Sequence, residues 1–305
     1  MPDRKTAMIT NLWSKVVDGE NGEWLSRVVI ESTRPYAYSA GAGNGTVSVE
    51  CRGVTVNMPE GTLTVNDGLL REVHIRQDGG DTALVKIDLD HPADHCLRAG
   101  ASFPFRLEVI LDRSCLRRLF SKKIIVIDPG HGGEDSGGRG YVGLLEKNVV
   151  MPIAEKLAGI LRRAGAEVLL TRSGDENPGL EARLRLAGQV RAHAFIGIHT
   201  HAGGDRSVEG TATLYAATSG ESARLAGFIQ AELLRKIKAK DRGVREQPAL
   251  TALDAVPAVE VEVLSITNIV EEVYLRSLTL YKRVAEGIFN GLIKYFAKDG
   301  NGGGE

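Results

Sequence analysis

IIVIDPGHGGEDSGG, residues 124–138, runs from a short apolar stretch into a glycine-rich loop that carries one imidazole, His131. An apolar run bounded by turn residues reads as a buried strand, here Ile124 to Ile127, ending in Asp-Pro-Gly. From Glu146 the period changes. Val150, Ile153, Ala154, Leu157 and Leu161 fall on one face of a helix, which Gly165 stops. A strand at Glu167 to Thr171 follows, then a helix near Leu180 to Val190 and strands at Ala194 to His199 and Thr211 to Tyr215. A helix at Glu221 to Ile237, a strand at Ala258 to Val263 and a last helix near Leu278 to Phe296 complete the pattern. Strands alternating with amphipathic helices predict an α/β domain with a largely parallel central sheet flanked by helices.

Upstream the rhythm is different. From about Trp24 to Leu111 apolar residues recur at every second position, as in Ala83, Val85, Ile87 and Leu89 or Phe105, Leu107, Val109 and Leu111. Gly-Asn-Gly, Asn-Asp-Gly and Gln-Asp-Gly-Gly separate the runs and supply the positive φ angles of tight hairpin turns. This pattern predicts a small all-β, sandwich-like antiparallel domain. The expected organisation is therefore a tail over 1–20, a β domain over 21–118, the α/β domain over 119–297 and a disordered glycine-rich tail over 298–305.

The 305 residues carry a formal net charge of -1, with 43% hydrophobic and 25% charged residues, a composition of folded soluble proteins. A chain built to attract nucleic acid would be basic; the cluster Arg117, Arg118, Lys122 and Lys123 reads as a solvated linker. Cys51, Cys96 and Cys115 have neither an even count nor zinc-ribbon spacing. No apolar run reaches the roughly 18 residues of a membrane span, and MPDRKTAMITNLWS lacks the apolar core of a signal peptide. Either the protein is cytoplasmic or its export signal has been removed.

Three features stand where open α/β sheets place their sites, at the carboxyl ends of strands: His131 after the first strand, Glu146 opening the next helix, and His199 ending a later strand. Taken singly, each has a structural explanation; Glu146, for instance, suits a helix N-terminus. Together, two imidazoles and a carboxylate form a ligand set that zinc accepts in hydrolytic enzymes, with a position left for water. The chemistry then needs a further carboxylate close to the metal to carry the proton. Glu262 is the candidate, and Glu260 shares its strand face, so either acid could be that carrier on residue chemistry alone. His201 is a competing ligand if the His199 strand continues. His193 is structural or exposed, and His74, His91 and His95 suggest nothing catalytic.

At these residues the chain resembles the zinc-dependent N-acetylmuramoyl-L-alanine amidases of amidase type 3, from Lys123 to about Tyr295. IVIDPGHGGEDSGG is similar to the opening signature, GLLEKNVV to the second and AFIGIHTHAG to the third, which implies His131, Glu146 and His199 as the zinc ligands. VPAVEVEVLSITN resembles the strand of the catalytic glutamate and aligns it with Glu262 rather than Glu260. Departures occur at Glu260, where the family is commonly apolar, at Leu264 and Ser265, where it has Gly-Phe, and at Thr200 and His201, where it has a small residue and Asn. About 60 residues separate His199 from Glu262, too few beside the expected elements for the long inserted helix that blocks the zinc in some members. The first domain looks like the AMIN domain associated with envelope localisation, through SRVVIESTRPYAY, and implies an envelope targeting partner.

The resemblance implies hydrolysis of the amide between N-acetylmuramic acid and L-alanine of peptidoglycan, with Zn2+ as cofactor. It also implies an extracytoplasmic, envelope location, the export signal having been removed. Two rival expectations are a catalytically silent wall-binding or activator protein of the same fold and a zinc hydrolase of another amide or ester.

Overall fold

The computed structural model describes residues 6–218 and 220–299. Contacts divide the chain into two units, Met1–Leu116 and Arg117–Glu305.

The first unit holds two five-stranded sheets. One has the order β5 (Val54–Val56), β1 (Ala7–Asp18), β2 (Trp24–Ser32), β10 (Phe105–Asp112), β9 (His95–Ala99). The other runs β3 (Ala37–Gly43), β4 (Thr46–Arg52), β8 (Thr82–Leu89), β7 (Leu70–Gln77), β6 (Gly61–Thr64). Alternation in sequence becomes alternation in burial: Ala83, Val85 and Ile87 of β8 and Leu107, Val109 and Leu111 of β10 are all buried. The expected tail over 1–20 is corrected, because Ala7–Asp18 is a 12-residue strand paired along β2. Its inward residues Ala7, Ile9 and Leu12 straddle a register shift between Ile9 and Asn11, and that irregularity hides the period of two. Arg113 anchors this unit from within. It donates to Ser26 Oγ at 2.6 Å and to the Asp67 carbonyl at 2.7 Å, pairs with the Asp67 carboxylate at 3.0 Å and lies over the Trp24 ring at 4.2 Å.

A short helix, α1 (Ser114–Phe120), leads into the second unit. There a six-stranded sheet has the order β12 (Glu167–Leu170), β11 (Ile124–Pro129), β13 (Ala194–His201), β16 (Ala258–Ser265), β14 (Thr211–Tyr215), β15 (Asp241–Glu246). Every pairing is parallel except that of β14 with β16. Helix α6 (Leu278–Asp299) packs on both α2 (Glu146–Arg163) and α4 (Gly220–Ile237). On the other side, Leu184 and Ala187 of α3 (Leu180–Gln189) join Val126, Phe195 and Ala258 in one apolar cluster. Side chains alternate along a strand, so Gly197 and His199 share the face of Phe195, and Glu260 and Glu262 share that of Ala258. All the candidate acids and imidazoles of β13 and β16 therefore look toward the α3 side, at the carboxyl ends of the strands.

Three local expectations change. The segment Arg242-Gly243-Val244, for which the sequence predicts no strand or helix, belongs to the edge strand β15; its residues are exposed or half-buried and carry no apolar rhythm. A six-residue helix, α5 (Ile269–Tyr274), follows β16, with the Asn268 side chain accepting from the N–H groups of Val270 and Glu271 as an N-cap. The expected disordered tail over 298–305 starts too early, since α6 continues to Asp299; 300–305 lie outside the described residues.

Candidate metal centre

The loop after β11 is shaped by contacts that leave no room for side chains. A Cβ on Gly130 would stand 2.2 Å from Cε1 of His199, and one on Gly137 would stand 2.5 Å from the His131 ring and 2.8 Å from Glu146 Oε2. The glycines are thus what lets two imidazoles and a carboxylate meet. His131 itself has φ 60, a left-handed conformation uncommon outside glycine. Two buried guanidinium groups hold it there. Arg183 donates to the carbonyls of His131 and Pro129 and to Asp128 Oδ1 at 2.8, 3.0 and 2.7 Å, and Arg172 donates to the carbonyls of Pro129 and Gly130 at 2.8 and 3.0 Å.

Ligand atoms of His131, Glu146 and His199 all lie within 4.8 Å of one another. Oε1 of Glu146 is 3.1 Å from His199 Nδ1 and 3.4 Å from His131 Nε2. The same carboxylate accepts the Thr200 N–H at 2.8 Å through Oε1 and the Gly138 N–H at 2.7 Å through Oε2. Behind His131, Nδ1 faces Asp135 Oδ2 at 2.9 Å, the outer carboxylate that metal-binding histidines commonly have.

Charge in the cluster is strongly coupled. Burial would raise the Glu146 carboxyl, but hydrogen bonds from both imidazoles and their charges outweigh it and hold it well below the usual carboxylate range. For His199 burial is again the largest influence and acts downward, yet the Glu146 hydrogen bond and the charges of Glu260, Glu146 and Asp128 raise it to about 9. His131 is raised as well, chiefly by its contact with Glu146. The negative charge that raises both imidazoles would favour a bound cation in the same way, with their protons released on binding. Two imidazoles and a carboxylate, mounted on two strand ends and a helix start and fixed from behind, fit zinc with a position left open.

The remaining candidates separate. Glu262 contacts Arg242 at 2.8 Å and Arg245 at 3.5 Å, and its Oε1 is 3.5 Å from His201 Nδ1. Arg242 also donates to His201 Nδ1 at 3.0 Å, so His201 is engaged beside Glu262 rather than in the ligand cluster. Glu260 is the acid that approaches the cluster, with Oε2 3.9 Å from His199 Nε2, while its Oε1 accepts from Gln247 Nε2 at 3.1 Å. His193 accepts the Ile124 N–H at 3.1 Å and is structural. Asp135, Arg242 and Arg245 were missed in the sequence. Asp135 had a signal, a carboxylate four residues after a candidate ligand; the two arginines had none, because β15 was not legible. A cavity of about 240 Å³ opens beside the cluster, lined by Asp128, His131, Asn177, Leu180, Arg183 and His199. A larger groove of about 570 Å³ lies on the first unit, bordered by none of these residues, so chemistry rather than size locates the centre.

The family described as N-acetylmuramoyl-L-alanine amidase matches residues 125–294, more than half of the chain. The chain belongs to that family. Its amidase domain is 35% identical over 175 residues to the amidase LytC of Bacillus subtilis (strain 168), covering 56% of this chain and 35% of LytC. With the amidase AmiA of Salmonella typhimurium the identity is 28% over 222 residues, covering 58% of this chain and 77% of AmiA. The chain thus spans about a third of one curated relative and three quarters of another. Among solved structures, the amidase AmiC2 of Nostoc punctiforme is 34% identical with a TM-score of 0.55, covering 58% of this chain and 99% of that one. The CwlD amidase from Clostridioides difficile, solved in complex with the GerS lipoprotein, is 27% identical with a TM-score of 0.56, over 58% and 100% of the two chains. No helix among the described residues is long and apolar enough to cross a membrane.

Proposed function

We propose that the amidase domain hydrolyses the amide joining N-acetylmuramic acid to L-alanine of the peptidoglycan stem peptide, with His131, Glu146 and His199 holding zinc and Glu262 moving the proton. The observation that carries this is the meeting of those three ligand atoms within 4.8 Å, in a domain of this family. Zinc bound there supplies Lewis acidity toward the scissile carbonyl and the attacking water. The chain does the rest. Asp135 and the two backbone N–H groups on Glu146 keep the ligands in place. Glu262, held by Arg242 and Arg245, takes a proton from water as the C–O bond forms and delivers it to the nitrogen as the C–N bond breaks. The cavity beside His131 and His199 gives the stem peptide a place next to the reacting bond.

Peptidoglycan lies outside the cytoplasm, so an envelope location is part of the proposal, and the first unit is proposed as an AMIN-like domain that binds an envelope component. The test is digestion of purified peptidoglycan by the zinc-loaded protein, with mass spectrometry of soluble products and a chelated control. Free stem peptides beginning at L-alanine, lost on chelation and restored by zinc, are expected. Bound zinc with intact wall would instead mean a silent wall-binding protein, and cleavage of another amide would mean a different hydrolase.

A further inference from the structure

We infer that Glu260 is a positioning residue for the metal centre: its carboxylate stands behind His199 and sets that ring with Nδ1 toward Glu146 and His131. The inference rests on the zinc proposal above. It starts from the two faces of one imidazole. Nδ1 of His199 is 3.1 Å from Glu146 Oε1, and the opposite nitrogen, Nε2, is 3.9 Å from Glu260 Oε2. His131 is bracketed in the same manner, with Nε2 at 3.4 Å from Glu146 and Nδ1 at 2.9 Å from Asp135. Each imidazole thus sits between the shared inner carboxylate and an outer one of its own.

The backbone explains why Glu260 reaches the ring. In the parallel pairing of β13 with β16, Glu260 lies opposite Gly197, two residues before His199 on the same face, so no side chain stands on that strand between them. Gln247 fixes the second carboxylate oxygen at 3.1 Å, which aims the first. At 3.9 Å the contact with Nε2 is an ion-pair distance, longer than a direct hydrogen bond, and one a single water can bridge. Glu262 has no such freedom, being engaged by Arg242 at 2.8 Å. A half-buried acid is costly without partners; Gln247 meets one oxygen of Glu260, and the His199 ring faces the other.

Outer carboxylates of this kind change metal affinity about 10–100-fold when removed. The test measures zinc dissociation constants by chelator competition for the full chain, Glu260→Leu and Glu260→Gln, together with the visible spectra of the cobalt-loaded proteins. Thermal unfolding of the metal-free variants checks that each is folded. Glu260→Leu is expected to bind zinc about 10–100-fold more weakly and to shift the cobalt spectrum. Glu260→Gln, which keeps an acceptor toward Nε2, is expected to recover most of the affinity. Activity lost by the Leu variant at limiting zinc should return as zinc is raised. Unchanged affinity in a folded Glu260→Leu protein would overturn the inference. If turnover at saturating zinc vanished as well, Glu260 rather than Glu262 would be the proton carrier. A wild-type protein that bound no zinc would remove the zinc proposal and this inference together.

Discussion

At the residue scale the proposed ligands and the proposed proton carrier are separable by experiment. His131→Ala removes a ligand, so zinc content and activity are expected to fall together, as measured by metal analysis of the purified protein. Glu262→Ala touches neither ligand nor core; it should keep zinc and fold while turnover drops about 10²–10⁴-fold, the range for loss of a general acid/base. Loading should depend on pH with a definite sign. His199 holds its proton up to about 9 in the metal-free protein, and zinc must displace it, so affinity is expected to rise with pH toward that value and weaken on acidification. Affinity that stopped rising near pH 7 would show that the contacts with Glu146 and Glu260 do not raise the His199 imidazole. That His131, Glu146 and His199 meet was legible in the sequence, because each marks the end of a strand or the start of a helix. Residue chemistry left Glu260 and Glu262 open, since residues two apart on a strand share a face whatever their partners are, and the family resemblance is what selects Glu262.

Among the elements, α5 and β15 determine how the centre is walled. Glu272 of α5 is buried and accepts the N–H groups of Val142 and Leu144 at 2.8 and 3.1 Å, and Arg276 donates to it at 2.9 Å. That contact ties down the loop leading into Glu146. Glu272→Ala leaves two backbone donors without their acceptor, at a cost of roughly 1–3 kcal/mol each where they stay buried. Faster hydrogen exchange at the Val142 and Leu144 amides is the expected readout, and exchange at the wild-type rate would show the loop to be held by other contacts. Helix α5 was findable, from an Asn with Glu three residues later, a capping pattern. Strand β15 was not, because an edge strand needs no buried face, and with it the approach of Arg242 and Arg245 to Glu262 went unseen.

For the molecule as a whole, the two units depend on different buried charges, Asp67 with Arg113 in the first and the Glu146 cluster in the second. Burial, the largest influence on Asp67, would raise its carboxyl, but the charge of Arg113, the N–H groups of Leu69 and Leu70 and the Ser26 hydroxyl outweigh it and hold it below the ordinary 3.8. A depressed carboxyl contributes stability that is present above its unfolded value and lost as pH falls through the folded one. The first unit is therefore expected to lose stability on acidification below about pH 4, and Asp67→Asn to weaken that dependence, the remainder coming from Glu31, Glu50 and Asp88, whose carboxyls are also lowered. Breaking this buried pair costs about 3–5 kcal/mol, measurable by urea unfolding, with zinc binding by the second unit as the control. From the sequence alone came the two classes of unit, most of the strands and helices of the second, and the three residues His131, Glu146 and His199 that meet in the structure, because buried faces impose periods of two and 3.6 and glycines mark close approach. The tertiary structure added which outer groups these side chains meet, Asp135 beside His131, Glu260 near His199 and two arginines on Glu262, since for the last three strand register and edge pairing bring together residues whose local patterns carry no trace of one another.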